Sequence, residues 1–266
     1  MPNRTIKKWN PWWVVTDMLT IVERNITRYR RIPQLLIFST IQPVMFLLLF
    51  TYVFGGAIRT GAGNYINYLL PGILVQSAVF GAIQTGVGLS DDMTKGLIDR
   101  FRSLPMARSA VLSGRTVADM MRNVFVIVLM FAVGYFIGFR LGGSWADAVA
   151  AFAILLAFGF AFSWISAAIG LLVKNTETAQ VAGFIWVFPL VFASSIFVPV
   201  ESMPEWLQHF AKINPITITV NASRALLLNN VGEIDKARYA WEAIGWIAII
   251  LVIFMPLAVY LYRKAV

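Results

Sequence analysis

Residues 148–173 read AVAAFAILLAFGFAFSWISAAIGLLV, 26 consecutive residues without a single Asp, Glu, Lys, Arg or His. At 1.5 Å rise per residue this run forms a helix of about 39 Å, more than the roughly 30 Å of bilayer hydrocarbon. A charged residue at the centre of such a span costs about 2.5–3.5 kcal/mol, so freedom from charge over this length marks a membrane span. Five more stretches share the property, at 33–54, 65–89, 123–139, 179–200 and 243–262. The composition agrees: 59% of the 266 residues are hydrophobic and only 13% are charged, about half the share in soluble domains. So few charges cannot cover a soluble surface, and so much Phe, Leu, Ile and Val excludes disorder. The expected fold is an all-α integral membrane protein with six transmembrane helices.

An even number of spans leaves both termini on one side. Sixteen of the 22 Lys and Arg residues fall before 33, between 90 and 122, at 174 or after 262, and six fall in the alternate loops. The positive-inside rule therefore places both termini in the cytoplasm of a cell-membrane protein, with residues 201–242 outside. The net charge of +9 fits loops lying on anionic lipid rather than nucleic-acid binding. Residues 213–228 are apolar but span only about 24 Å and include Asn214, Pro215, Asn221 and Arg224. They are expected to be re-entrant or interfacial on the outer side, before the last span.

Two segments carry amphipathic patterns. In the N-terminal region, residues 1–32, the side chains Val15, Met18, Leu19, Val22, Ile26 and Tyr29 recur at helical spacing, with Asp17, Arg24, Arg28 and Arg31 opposite. This predicts an interfacial helix on the inner leaflet, preceding a transmembrane domain over 33–266. Between the second and third spans, Met93, Leu97, Phe101 and Leu104 recur at i, i+4, i+8 and i+11 among Asp92, Lys95, Asp99, Arg100 and Arg102. Gly96 breaks this helix and Pro105 closes it, leaving either a short rod at 97–104 suited to docking in a groove of a cytosolic subunit or a solvated loop with incidental ion pairs. Beyond it, Arg115, Asp119 and Arg122 share a face, so the third span is expected to begin as a helix standing clear of the membrane.

Within the spans, Gln76, Phe80 and Gln84 lie on one face of the second, and Phe184, Phe188 and Phe192 on one face of the fifth. Amides that hydrogen-bond and rings that give adaptable apolar contact could line a path for an amphipathic solute. The same residues could equally be interhelical glue and lipid-facing core. The six stretches hold no ionisable group for a proton relay, and no G-x-x-x-x-G-K-[ST] phosphate loop occurs anywhere. With no Cys and a single His, His209, neither a metal site nor a catalytic triad can be argued.

A family resemblance rests on several runs taken in order. Tyr29-Arg-Arg-Ile-Pro-Gln-Leu-Leu-Ile-Phe, Gln42-Pro-Val-Met-Phe-Leu-Leu-Leu-Phe and Val53-Phe-Gly-Gly-Ala surround the first span, and Leu70-Pro-Gly-Ile opens the second. Gly96-Leu-Ile-Asp-Arg-Phe-Arg-Ser-Leu-Pro-Met-Ala-Arg and Gly114-Arg-Thr-Val-Ala-Asp follow. Lys174-Asn-Thr-Glu-Thr-Ala-Gln, Met203-Pro-Glu-Trp-Leu and Asn214-Pro-Ile-Thr come later. Together they resemble the type-2 ABC export permeases, the daunorubicin-resistance kind in particular.

The resemblance implies a half-transporter that pairs with a second permease copy, as a homodimer, and binds two copies of a separate ABC ATPase subunit. ATP and Mg would then belong to that subunit, and this chain would hold no cofactor and be no enzyme by itself. By matching position, residues 15–31 become the connecting helix and 97–104 the coupling helix, with Leu97, Asp99, Arg100, Phe101 and Leu104. Glu177 falls in a second cytoplasmic contact, and 201–228 become paired short helices on the outer side. The implied substrate is an amphipathic drug, antibiotic or lipid. Polysaccharide export by a type-2 permease and a transporter or channel without ATP are the alternatives.

Overall fold

A computed structural model describes residues 16, 19–20, 22–23, 27, 31–32, 34–58, 64–96, 108–173, 175–228 and 235–265. The regular structure among them is helical throughout. Helix α1 (Gln34–Leu49) passes into a π-helical turn at Phe50–Phe54. The long helices α2 (Tyr65–Thr94), α3 (Arg108–Ile137) and α4 (Trp145–Leu172) follow, then α5 (Thr176–Phe192). Two short helices, α6 (Glu205–Ile213) and α7 (Pro215–Leu228), precede α8 (Lys236–Ala265).

Each of the six charge-free stretches lies on its own helix. Among the described residues α2, α3, α4 and α8 have the length and apolarity to cross a membrane, while Ser39–Phe54 and Thr176–Phe192 are shorter apolar helices. One boundary differs from the sequence reading, the end of the fifth span, and one is as expected, the early start of the third helix. The fifth stretch is helical only to Phe192, and the chain then turns through Ser194 to Val198. Asn214 explains the stop: its Nδ2 donates to the carbonyls of Leu190 and Ala193 at 2.7 and 3.1 Å, capping orphaned acceptors, and its Oδ1 accepts from Ile216 N of α7 at 2.9 Å. The third helix begins at Arg108, well before the charge-free stretch, so Arg115, Asp119 and Arg122 belong to it.

Helix ends follow local chemistry. Ser144 and Asp147 form a reciprocal capping box at the start of α4, and Asn175 caps α5 through Glu177 N. Helix α2 stops at Thr94, just before Gly96 at φ +65°, where a side chain would be strained. Of the expected N-terminal helix, the described Thr16, Leu19, Thr20, Val22, Glu23, Thr27 and Arg31 have helical backbone, with Val22 buried and Leu19 exposed. Val15, Met18, Ile26 and Arg28 fall outside the described residues, as does the whole 97–104 segment.

Helix α2 is the axis of the bundle, buried along most of its length between α1, α3, α4 and α5. It meets α4 backbone to backbone: a Cβ at Gly170 would overlap Gly86, and one at Gly86 would overlap Ser166. Small residues permit this approach, the usual means of packing helices in lipid, where no hydrophobic drive separates helix from tail. One end of the bundle carries Lys95, Arg115, Arg263 and Lys264, joined by a cluster of Leu89, Leu112, Trp164, Leu171 and Tyr262. At the other end α7 is wedged between α2, α4 and α8.

The wedge is held by Arg224, 1% exposed, whose guanidinium lies 3.5 Å from the ring centroid of Tyr68. It donates to the carbonyls of Tyr68 at 2.9 Å, Ser195 at 2.6 Å and Ile196 at 3.1 Å, and to Ser195 Oγ and Asn221 Oδ1. Burial pulls its pKa down to about 10, against the opposing pull of Tyr68, so it stays charged at neutral pH.

Candidate functional site

A cleft of about 460 Å³ opens between α1, α2 and α3 at the basic end of the bundle. Ser39, Gln42, Pro43 and Phe46 line it from α1, and Gln76, Phe80, Gln84 and Asp91 from α2. Helix α3 supplies Arg115, Asp119, Arg122 and Asn123, and Thr176 at the start of α5 contributes at the inner end. From Gln76 to Asp91 the α2 wall runs about 22 Å, which suits an elongated molecule.

The charged lining is built by matched spacings. Gly81, Thr85 and Gly88 of α2 stand at i, i+4 and i+7, as do Arg115, Asp119 and Arg122 of α3. Arg122 Nη2 donates to the Gly81 carbonyl at 2.7 Å and Nη1 lies 3.6 Å from Asp119. Thr85 Oγ1 donates to Asp119 at 2.6 Å, and Arg115 Nη1 donates to Asp92 at 2.5 Å. A side chain at Gly81 would strike Asn123 and Arg122, and one at Gly88 would strike Arg115. Buried ions persist only when each is answered in this way. The shared face of Arg115, Asp119 and Arg122 is thus present, and it packs against α2.

Gln76 and Phe80 line the cleft together with Gln84, which is exposed. Gln76 is 2% exposed, and neither of its amide atoms has a hydrogen-bond partner among the described residues. An unanswered buried polar group costs about 1–3 kcal/mol.

The fifth-helix rings meet the same wall. Phe80 lies 5.9 Å from Phe184 and 5.6 Å from Phe188, so the two faces read from the sequence converge at Phe80. The rings continue without a gap, Phe188 to Phe192 at 5.3 Å, Phe192 to Phe197 at 5.4 Å, and Phe197 to Phe50 of the π-turn at 4.5 Å. Phe188 and Phe192 are 43% and 47% exposed, so the track lies open on the α5 face. The arrangement offers a polar cleft at the basic end leading to an aromatic track toward the other end. Such a surface can hold an amphiphile but presents no group positioned for covalent chemistry.

Glu177 is exposed in the first turn of α5, next in sequence to the cleft residue Thr176. Leu97, Asp99, Arg100, Phe101 and Leu104 lie outside the described residues. The sequence reading missed Gln42, Asn123 and the two ion pairs of the cleft. The i, i+4, i+7 run of Gly81, Thr85 and Gly88, complementary to the charged face of α3, was the available signal for the ion pairs.

The sequence matches the ABC-2 type transporter family over residues 16–228. It is 36% identical to the daunorubicin resistance ABC transporter permease protein DrrB1 of Streptomyces coeruleorubidus, over 94% of this chain and 87% of that protein. It is 26% identical to the doxorubicin resistance ABC transporter permease protein DrrB of Mycobacterium tuberculosis H37Rv, over 65% of this chain and 60% of that protein.

Proposed function

The chain belongs to the ABC-2 type transporter family and is a multi-pass membrane permease; we propose that it is the transmembrane subunit of an exporter that moves an amphipathic drug or lipid-like compound out of the cytoplasm or inner leaflet. Energy comes from a separate ATPase subunit, bound in two copies with its ATP and Mg, and a second permease copy completes the path. The observation that carries this reading is the cleft with its continuous aromatic track. A polar head finds amides and ion pairs at the basic end, and an apolar body finds a row of rings leading away from it. The drug-resistance relatives favour an amphiphile over a polysaccharide.

Six spans with both termini in the cytoplasm fit the distribution of charge. Lys95, Arg263 and Lys264 mark the inner end, and exposed Trp145, Trp206 and Trp241 mark the outer end, where amphipathic indoles favour the interface. The chain has no native Cys, so single cysteines report its topology directly. A membrane-impermeant maleimide is expected to label position 206 from outside but not 95 or 264. External labelling at 95 or 264 would overturn the topology.

The function is tested by co-reconstituting the chain with its ATPase subunit in liposomes and following daunorubicin movement. ATP-dependent transport is expected, and none without the ATPase. Gln84→Leu is expected to reorder preference among amphipathic compounds by about tenfold for those that hydrogen-bond at that point. An equal fall for every compound, or a loss of assembled complex alone, would make this face structural.

A further inference from the structure

Each charged group lining the cleft has a counter-ion: Arg122 holds Asp119 and the Gly81 carbonyl, Arg115 holds Asp92 behind the lining, and Asp91 pairs with Lys95 outside it. What remains unanswered is mostly neutral. Gln76 has both amide atoms enclosed without a partner, and the half-buried Gln42 from α1 and the exposed Gln84 from α2 line the cleft beside it. An amide presents a donor beside an acceptor, so its complement is a neutral group that does the same, a hydroxyl or a hydroxyl near a carbonyl. Phe46 and Phe80 line the same cleft from the same two helices, so the group facing the amides is carried on an apolar ring.

We infer that the cleft selects neutral hydroxyl- or carbonyl-bearing ring compounds by hydrogen bonding rather than by charge, with Gln42 of α1 as a specificity-determining residue acting alongside Gln76. Satisfying the buried amide of Gln76 gives strong discrimination, because an analogue without the polar group leaves it unpaired, and Gln42 faces the same ligand from α1. Charge on the ligand gains little where each ion already has its counter-ion. The exception is Arg115, whose buried Nε has no partner and could draw an anion to the inner end of the cleft. The inference deepens the exporter reading and rests on it for its biological meaning, but binding can be measured without the ATPase.

The test uses the full chain in lipid nanodiscs, titrated with 2,6-dihydroxynaphthalene, naphthalene, 2-naphthylmethylammonium and 2-naphthoate, with empty nanodiscs as reference. The diol is expected to bind about tenfold tighter than naphthalene, and the ammonium and carboxylate no tighter than the diol. Gln42→Leu is expected to erase the diol's roughly tenfold advantage over naphthalene. Gln42→Ala, which removes the amide without adding bulk, carries the same expectation, and an unchanged thermal unfolding midpoint certifies the fold of either variant. Tighter binding of 2-naphthoate would assign recognition to Arg115 and overturn the inference. So would tighter binding of the ammonium, or an undiminished diol advantage in both Gln42 variants. Loss of ATP-driven transport with diol selectivity intact would overturn the exporter reading alone, and transport without diol selectivity would overturn only this inference.

Discussion

Arg224→Ala is expected to destabilise the folded chain by roughly 3 kcal/mol or more, the largest effect of any single side chain in the bundle. Three backbone carbonyls, from Tyr68, Ser195 and Ile196, lose a charged donor at once, and each buried group left unanswered costs about 1–3 kcal/mol. The stacking of the guanidinium on Tyr68 is lost as well, worth about 2 kcal/mol when desolvated. Lysine is a poor replacement, since a point ammonium cannot serve carbonyls on two segments and a ring face together. Arg224→Lys should therefore recover less than half of the loss. Thermal unfolding in detergent, followed by tryptophan fluorescence, decides it: a midpoint unchanged in Arg224→Ala would show that the turn after α5 holds without the cation.

Arg224 also shows why part of the fold was legible in the sequence and part was not. The absence of charge over 148–173 is a one-dimensional signal, and the bilayer converts it directly into a helix. The same logic sets α7 apart from the spans, because Asn214, Pro215, Asn221 and Arg224 interrupt a run too short to cross. Nothing in that run says that Arg224 turns inward to bind Ser195 and Ile196, which lie 28–29 residues earlier. The early end of α5 is hidden for the same reason, since its cap is Asn214, more than twenty residues away.

The cleft divides along a similar line. Periodicity put Gln76 with Phe80 and Gln84, and Phe184 with Phe188 and Phe192, because each set belongs to one helix. That the two sets meet at Phe80 depends on how α2 and α5 pack, and Gln42 joins them from a third helix. The ion partners of Arg115, Asp119 and Arg122 were not legible, because periodicity places those three on one face of α3 but does not say which helix the face meets. Here glycines at 81 and 88 clear space on α2 for that charge, and Thr85 answers it.

Phe101→Ala is expected to separate ATP hydrolysis from transport. Leu97, Phe101 and Leu104 recur at helical spacing in the sequence between α2 and α3, and an aromatic anchor in a partner's groove is worth about 2 kcal/mol or more, roughly a thirtyfold loss of affinity on truncation. The helices on either side of the segment are themselves joined by an ion pair. Asp92 near the end of α2 is fastened to Arg115 of α3, and Asp119 and Arg122 stand one and two turns further along α3 in the wall of the cleft. Asp99→Ala should act in the same direction, with residual ATPase activity no longer matched by drug movement. ATPase binding and ATP-driven transport that both stay at wild-type values in the two variants would move the coupling contact elsewhere, with exposed Glu177 at the start of α5 as the next residue to change.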